Sequence, residues 1–258
     1  MPRNPRRVGA FHYMQRVATL VMTVMSLAFV ASGMKFALAA RPDALLPQQF
    51  AALYGDLDPD GLAEIYLRPQ HPAMWIMLMI LWVTVLGFAL REAWPNKNRP
   101  DLQLADLLLL IAALTAGTIW PWVAVGAPLV GFLLCVTMLL ALIAAGRRND
   151  SDGRLARDPT LGVFAGWATV LTFAAFSSFL SDAMPIPVEL ATLAGAILSC
   201  SAAIAIQLRL PNNPAYTVTV MFAMLATAAT MIETNPPIAV ISVLSMAALT
   251  FLLVRVTT

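Results

Sequence analysis

Few side chains in this sequence have the types and spacing that covalent chemistry requires. No Gly-x-Ser-x-Gly, His-Glu-x-x-His or glycine-rich phosphate-binding sequence occurs in the chain, and these are common signatures of hydrolases, zinc peptidases and nucleotide-binding enzymes. Cys135 and Cys200 both lie inside apolar segments, where a cysteine packs as a small hydrophobic residue. We therefore expect a protein without catalytic residues and without a metal site.

The two histidines and one acidic residue, Asp106, are the remaining candidate ligands. The span assignment below places His12 and His71 on opposite faces of a membrane, so they cannot bind one haem or metal ion together. Asp106 stands at the start of an apolar segment. A proton or ligand site is one interpretation of such a carboxylate. We prefer the other, an interfacial carboxylate close to Arg91 or Arg99.

Aromatic residues are the more promising feature, because large rings can form the walls of a binding pocket. The six tryptophans are Trp75, Trp82, Trp94, Trp120, Trp122 and Trp167. Tryptophan is common at the membrane interface, and this explains Trp94 and Trp122. Trp82 and Trp167 lie well inside their apolar segments. Rings at that depth either pack in the bundle or line a pocket for a flat, apolar ligand such as a tetrapyrrole or a sterol.

The composition shows which environment must position these residues. Hydrophobic residues make up 60% of the 258-residue chain and charged residues only 12%, about half the charged fraction of a soluble domain. The mean hydropathy is +0.78. The net charge of +2 gives no reason to expect nucleic acid as a partner. The chain is therefore expected to be embedded in a lipid bilayer.

Eight apolar segments approach or exceed the roughly 20 residues that cross the hydrocarbon core. They are 17–40, 73–90, 102–120, 127–145, 158–180, 188–208, 215–232 and 238–256. Pro121 and Gly126 are expected to separate the third span from the fourth, and residues 62–66 are expected to form a short interfacial helix. The predicted fold class is all-α, a polytopic bundle of eight transmembrane helices, organised around the fifth span.

The distribution of basic residues predicts the orientation. If the N-terminus is cytoplasmic, the segments on that side hold Arg3, Arg6, Arg7, Arg16, Arg91, Lys97, Arg99, Arg147, Arg148, Arg154, Arg157, Arg209 and Arg255. The opposite side and its flanks hold only Lys35, Arg41 and Arg68. Short cytoplasmic loops are enriched in Lys and Arg. We therefore predict that both termini are cytoplasmic.

Four short motifs resemble, in order and spacing, those of the TspO family, the tryptophan-rich sensory proteins related to the mitochondrial translocator protein (peripheral-type benzodiazepine receptor). They are Pro-Thr-Leu-Gly-Val-Phe-Ala-Gly-Trp-Ala-Thr at 159–169, Pro-Ala-Met-Trp at 72–75, Trp120 followed by Pro128, and the join at 207–216. The last is similar to the longer bacterial branch. The resemblance covers most of residues 72–256 and implies a five-helix core plus three C-terminal helices. We accordingly divide the chain into a basic arm (1–16), a TspO-like core (17–181) with an acidic outer loop (41–71), and three additional spans (182–258).

The resemblance implies a non-enzymatic binding or sensory protein of the bacterial inner membrane. Its ligand would be a porphyrin, another tetrapyrrole or a different hydrophobic molecule, or alternatively a bound lipid. The residues that this implies for the pocket are Trp75, Trp120, Phe164 and Trp167 as walls and Thr118 and Thr172 as polar contacts.

This sequence also departs from the family pattern. Phe164 stands where the family usually has tyrosine, and the usual asparagines near Thr118 and Thr172 are missing. The loss of these polar groups favours a second hypothesis, a structural accessory subunit or assembly factor of a larger respiratory or photosynthetic membrane complex. A homo-oligomer is an additional expectation.

Overall fold

The structure is a computed structural model that describes residues 5–38, 62–69, 71–94, 102–124, 126–148, 153–233 and 235–257. All regular secondary structure in these residues is helical. The helices are α1 (Pro5–Leu38), α2 (Leu62–Leu67), α3 (Pro72–Ala93), α4 (Leu104–Ala124), α5 (Pro128–Arg147), α6 (Pro159–Ala183), α7 (Val188–Gln207), α8 (Pro214–Met231) and α9 (Pro236–Thr257).

Eight of these helices are long and apolar enough to cross a membrane, and the candidate span within α1 is Tyr13–Leu38. This confirms the predicted all-α membrane bundle. Pro72, Pro128, Pro159 and Pro214 each occupy the first turn of a helix, where the missing N–H of proline is not needed. The predicted start of each of these helices was therefore accurate to a residue or two.

Gly126 lies between α4 and α5, as predicted, but Pro121 does not end the third span, because α4 continues through it to Ala124. A proline inside a helix leaves the carbonyl one turn earlier without its usual partner. In membrane proteins, hydroxyl side chains often bond to backbone groups near such a proline. Ser32 of α1 makes such a bond one residue away from the Gly117 carbonyl that Pro121 leaves free, since its hydroxyl donates to the Thr118 carbonyl at 2.9 Å.

Helix α6 lies at the centre of the bundle. In its most apolar stretch 72% of the residues are buried, compared with 33–50% in the other candidate spans. It packs against α2, α3, α5, α7 and α8, whereas α1 packs on α3 and α4, and α9 packs on α7 and α8. The fifth span is thus the organising segment, as predicted. The proposed division between residues 181 and 182 stays a prediction, and the acidic loop lies mostly outside the described residues.

Ion pairs join the helices at one end of the bundle, where α3 and α5 end and α6 and α8 begin. They include Arg91–Asp158, Arg154–Glu92 and Arg148–Asp106. We call this the arginine end. The partner of Asp106 was expected to be Arg91 or Arg99. The structure pairs Asp106 with Arg148, whose Nε lies 2.9 Å from Oδ1, because the start of α4 lies beside the end of α5. Arg99 lies outside the described residues.

Asp158 links the arginine end to the central helix. Its side chain accepts a hydrogen bond from the Thr160 N–H at 3.0 Å and so caps α6. Its carbonyl accepts a hydrogen bond from the Asn213 side chain at 2.9 Å. A carboxylate at a helix N-terminus satisfies an otherwise unpaired N–H and is stabilised by the helix dipole. Asp158 therefore fixes where α6 begins and how it meets the start of α8.

Candidate functional site

Three buried rings from α1 and α6 form an aromatic cluster in the middle of the bundle. Phe29 lies 5.2 Å from Phe164 and 5.8 Å from Trp167, measured between ring centroids, and it meets Trp167 edge-on. Phe164 and Trp167 are stacked at 6.3 Å. Aromatic pairs at these separations add about 0.5–1.5 kcal/mol beyond the area that they bury. The cluster therefore holds α1 close to α6, although the two helices are remote in sequence.

A small cavity adjoins this cluster, and we call it the tryptophan cavity. Trp82, Trp120 and Trp167 line it, together with Phe29 and Tyr66. Its volume is about 20 Å³, which is enough for a single water molecule. The side chains of the protein itself thus fill most of the space between α1, α3, α4 and α6.

Two polar groups on the rings that line this cavity have no hydrogen-bond partner among the described residues. The Nε1 atoms of Trp120 and Trp167 are both buried and unpaired. An indole nitrogen can only donate, and a buried donor without an acceptor costs about 1–3 kcal/mol. Two unpaired donors on rings that share one cavity suit an occupant that carries a hydrogen-bond acceptor, such as a carbonyl, carboxylate or water oxygen.

The short helix α2 closes the bundle at the end opposite the arginine end. It packs against α6 and α1, and Tyr66 is only 5% exposed. The hydroxyl groups of Tyr66 and Thr227 lie 3.0 Å apart and share a hydrogen bond. Burial raises the pKa of Tyr66 to about 12, although the Thr227 bond opposes the shift. Tyr66 is therefore neutral at physiological pH and forms part of the wall of the tryptophan cavity.

The structure brings three of the four aromatic residues predicted for the pocket together. Trp120 and Trp167 share the tryptophan cavity. Phe164 stacks on Trp167 and borders a neighbouring cavity of about 20 Å³. Trp75 is half-buried two turns before Trp82 on α3 and borders none of the cavities described here. Trp82 lines the tryptophan cavity, and the role of Trp75 as a pocket wall stays a prediction.

The two predicted polar contacts are bonded to helix backbone. The Thr118 hydroxyl donates to the Leu114 carbonyl at 2.7 Å. The Thr172 hydroxyl donates to the Ala168 carbonyl at 2.6 Å and lies 3.2 Å from the Cys135 carbonyl. Threonine commonly bonds back to the preceding turn of its own helix. Neither residue borders the cavities described above, so their role as ligand contacts stays a prediction.

Sequence reasoning did not select Phe29, Trp82 or Tyr66 for the site. The depth of Trp82 inside its span was a usable signal, since a ring at that position is poorly explained as an interfacial anchor. Phe29 had no comparable signal, because one phenylalanine in an apolar helix is equally consistent with contact to lipid. Tyr66 was placed on a helix, but its inward direction depends on how α2 folds back.

On the opposite side, α6 crosses α8 at very short distance. A Cβ added at Gly162 would collide with Asn213 Oδ1 and lie 2.8 Å from the Tyr216 nitrogen. A Cβ at Gly166 would lie 2.9 Å from the Tyr216 carbonyl oxygen. The hydroxyls of Tyr216 and Thr169 share a hydrogen bond of 2.9 Å across the same interface. Small residues allow this approach, and the crossing fixes the rotation of α6 that directs Phe164 and Trp167 toward α1.

Comparison with known proteins decides the family. A family model described as TSPO-like protein matches residues 62–255, about three quarters of the chain. The chain belongs to the TSPO-like protein family. In this TSPO-like protein the family match begins at α2 and does not include α1. Phe29 of the aromatic cluster therefore comes from a helix outside the family match. No curated protein and no solved structure matches the chain.

Titratable side chains of this TSPO-like protein do not form a metal centre in the part of the chain that the structure describes, where no three His, Cys, Asp or Glu residues are grouped to hold an ion. His71 uses its Nδ1 atom to accept a hydrogen bond from the Ala73 N–H at 3.2 Å, which caps α3. The ion pairs at the arginine end are likewise explained by helix packing. The tryptophan cavity is therefore the candidate functional site.

Proposed function

We propose that this TSPO-like protein is a non-enzymatic membrane binding or sensory protein for a flat hydrophobic molecule, such as a tetrapyrrole, that carries a hydrogen-bond acceptor. The observation that carries the proposal is the pair of buried, unpaired indole N–H groups of Trp120 and Trp167 on rings that line one aromatic cavity. An acceptor on the ligand would satisfy both donors. The surrounding rings of Phe29 and Trp82 would contact the faces of the ligand.

Binding in this proposal requires movement of α1 or α2. Sites for drug-sized ligands have volumes of about 300–1,000 Å³, whereas the tryptophan cavity has about 20 Å³. Phe29 of α1 and Tyr66 of α2 line the cavity and would have to withdraw. A ligand that binds only the opened state shifts the population toward it, and that shift is the proposed signal of a sensory protein.

We place the arginine end in the cytoplasm and both termini on the same side, in a bacterial inner membrane. Support comes from Arg91, Arg148 and Arg154 at that end together with the preference of cytoplasmic loops for basic residues. The tryptophan cavity would then be closed by α2 on the outer side.

The test is equilibrium binding of protoporphyrin IX to the protein in lipid nanodiscs. Trp120→Phe and Trp167→Phe remove one N–H each and keep an aromatic ring, and we expect each to weaken binding about tenfold, equivalent to one lost hydrogen bond of about 1.4 kcal/mol. Trp94→Phe is the matched control, because Trp94 is 79% exposed. Equal dissociation constants for all four proteins would contradict the site.

The second candidate function is a structural accessory subunit or assembly factor of a larger membrane complex. The near-complete filling of the tryptophan cavity favours it, since a scaffold needs no vacant site. Purification from native membranes in mild detergent tests it. Recovery of other subunits in fixed stoichiometry would support this candidate, and recovery of the protein alone or as a homo-oligomer would support the binding protein.

A further inference from the structure

The largest of the cavities described lies on the other side of Trp167, between α3, α6 and α8. Its volume is about 230 Å³. It is lined by Met77, Ile80, Leu81, Val163, Trp167, Ala215, Val218, Thr219 and Phe222. We call it the α8 cavity. It is distinct from the tryptophan cavity, and Trp167 is the one residue that lines both.

The lining of the α8 cavity selects an apolar occupant. The one hydroxyl among the residues that line it belongs to Thr219, and this hydroxyl already donates to the Ala215 carbonyl at 2.8 Å. No residue of the lining carries a formal charge. An apolar cavity of about 150 Å³ in a soluble protein stays dry and binds benzene. The larger α8 cavity is therefore suited to hydrocarbon and poorly suited to water.

The cavity communicates with the lipid that surrounds the bundle. Ile80 and Val218 line it and are 45% and 52% exposed on the outer surface of the bundle. Trp167 and Leu81 form its inner wall and are 4% and 1% exposed. A hydrocarbon chain entering between α3 and α8 would thus pass from the lipid phase to a buried tryptophan without crossing a polar surface.

The depth of the cavity determines which part of a lipid can reach it. Trp167 lies nine residues beyond Asp158, which caps α6 at the arginine end. At 1.5 Å per residue this is about 14 Å, close to half of the roughly 30 Å hydrocarbon thickness. With the ion pairs at the membrane interface, Trp167 lies near the middle of the bilayer. Headgroups do not reach that level, but acyl tails do.

From this lining, opening and depth we propose that the α8 cavity binds the hydrocarbon tail of a bilayer phospholipid, which inserts between α3 and α8 and packs against the indole of Trp167. The site is built partly by α8, which belongs to the three C-terminal spans. The inference does not depend on the proposed function, because lipid occupancy is measured without any porphyrin.

Photochemical labelling tests the proposal. The protein is reconstituted in nanodiscs that contain a phospholipid with a diazirine near the end of one acyl chain, and adducts are located by mass spectrometry. We expect adducts on the half-buried Val163 and the buried Trp167 at yields comparable with those on Leu140, a residue of α5 that is 59% exposed. Adducts confined to exposed residues would overturn the proposal.

Two variants separate tail insertion from general contact with lipid. Val218→Trp places a large ring at the mouth of the cavity, and we expect it to reduce labelling of Val163 and Trp167 several-fold while labelling of Leu140 is unchanged. Val83→Trp is the control, since Val83 is 64% exposed on α3 and does not line the cavity. Unchanged labelling in Val218→Trp, with thermal stability equal to that of Val83→Trp, would contradict tail binding.

A second copy of this chain is the competing occupant. Val218→Cys distinguishes it, because a disulfide dimer formed through this residue in the nanodisc would assign the mouth of the cavity to a protein contact and overturn the lipid proposal. Monomeric Val218→Cys with tail adducts retained on Trp167 would support it.

Discussion

The two faces of α6 contact different kinds of atoms on the neighbouring helices. The glycine face, Gly162 and Gly166, lies against backbone atoms of α8, and a polar pair on this face, Thr169 and Tyr216, is hydrogen-bonded. The aromatic face, Phe164 and Trp167, meets the ring of Phe29 on α1. Backbone cannot retreat without moving a helix, whereas a ring can change rotamer. The comparison indicates that α6 and α8 form a fixed unit and that change in the bundle takes place on the side of α1.

The glycine face and the aromatic face also differ in whether their buried polar groups are hydrogen-bonded. Tyr216 is fully buried and its hydroxyl is bonded to Thr169. The indole nitrogens of Trp120 and Trp167 are buried without partners. Within a bilayer, where apolar burial between helices contributes little, close packing and interhelical hydrogen bonds provide the stability. The glycine face therefore carries more of the stability of the bundle, and the aromatic face retains unpaired donors that a ligand could use.

The largest expected effect is that of Gly162→Ala. Its Cβ would collide with Asn213 Oδ1 and lie 2.8 Å from the Tyr216 nitrogen, so α6 and α8 must separate, at a cost of about 3 kcal/mol in free energy of unfolding. Equilibrium unfolding in lipid–detergent micelles measures this. Gly87→Ala is the control, because nothing lies within 4 Å of its added Cβ. We expect this control to be neutral or stabilising by up to about 1 kcal/mol, and equal stability of the two variants would contradict the fixed crossing.

Gly117→Ala makes the corresponding change on the side of α1. Its Cβ would lie 2.8 Å from a Phe29 ring carbon and 3.1 Å from the Met138 sulfur. Both neighbours are side-chain atoms that can shift, so the expected loss in the same unfolding measurement is smaller, about 1–2 kcal/mol. A loss as large as that of Gly162→Ala would remove the distinction between the two faces.

Tyr216→Phe tests the hydrogen bond on the glycine face. It removes the bond to Thr169, whose hydroxyl keeps its bond to the Ala165 carbonyl at 2.8 Å. Interhelical hydrogen bonds in membranes contribute about 0.6 kcal/mol on average, and we expect a destabilisation of about 1 kcal/mol because Tyr216 is fully buried. Tyr13→Phe, at a residue that is 70% exposed, is the control. Equal stability of the two variants would show that the bond contributes nothing.

The smallest expected effect on stability is that of Trp120→Phe. It removes a buried donor that has no partner, which is favourable, and it leaves a small void, which is unfavourable. We expect these contributions to offset one another to within about 1 kcal/mol. A loss well above that of Tyr216→Phe would show that the Trp120 N–H already makes a stabilising bond, and the aromatic face would then resemble the glycine face.

Much of the fold could be predicted because every span must be apolar and about 20 residues long to cross the hydrocarbon core. Hydropathy located the eight spans, and a proline near the start of the fifth located its beginning at Pro159. The exception was Pro121, where the sequence alone could not show that Ser32 of another helix bonds to the carbonyl of Thr118. The prediction failed because a transmembrane helix can continue through a proline where a neighbouring helix packs against it and bonds to the backbone nearby.

The candidate site was less accessible to prediction. Phe164, Trp120 and Trp167 were selected through motifs, but their neighbours depend on helix rotation. Seven residues separate Trp75 from Trp82 and place them at nearly the same angle around α3, so periodicity could not decide which of them reaches the cavity. What places Trp82 rather than Trp75 at the cavity is its position along the bundle axis relative to Trp167. That position depends on the ion pairs and helix crossings that set how α3 lies beside α6.

By itself the sequence determined that this chain is a polytopic membrane protein, that residues 158–180 contain its central span, and that its motifs resemble the TspO family. These conclusions follow from local composition and spacing, because each residue of a span must suit both the hydrocarbon core and a helical backbone. The tertiary structure alone decided that Phe29 of α1 lines the site, that Gly162 and Gly166 bring α8 close to α6, and that Trp167 lines two cavities. The reason is physical: contacts between helices depend on relative rotation and height, which a single sequence does not encode locally.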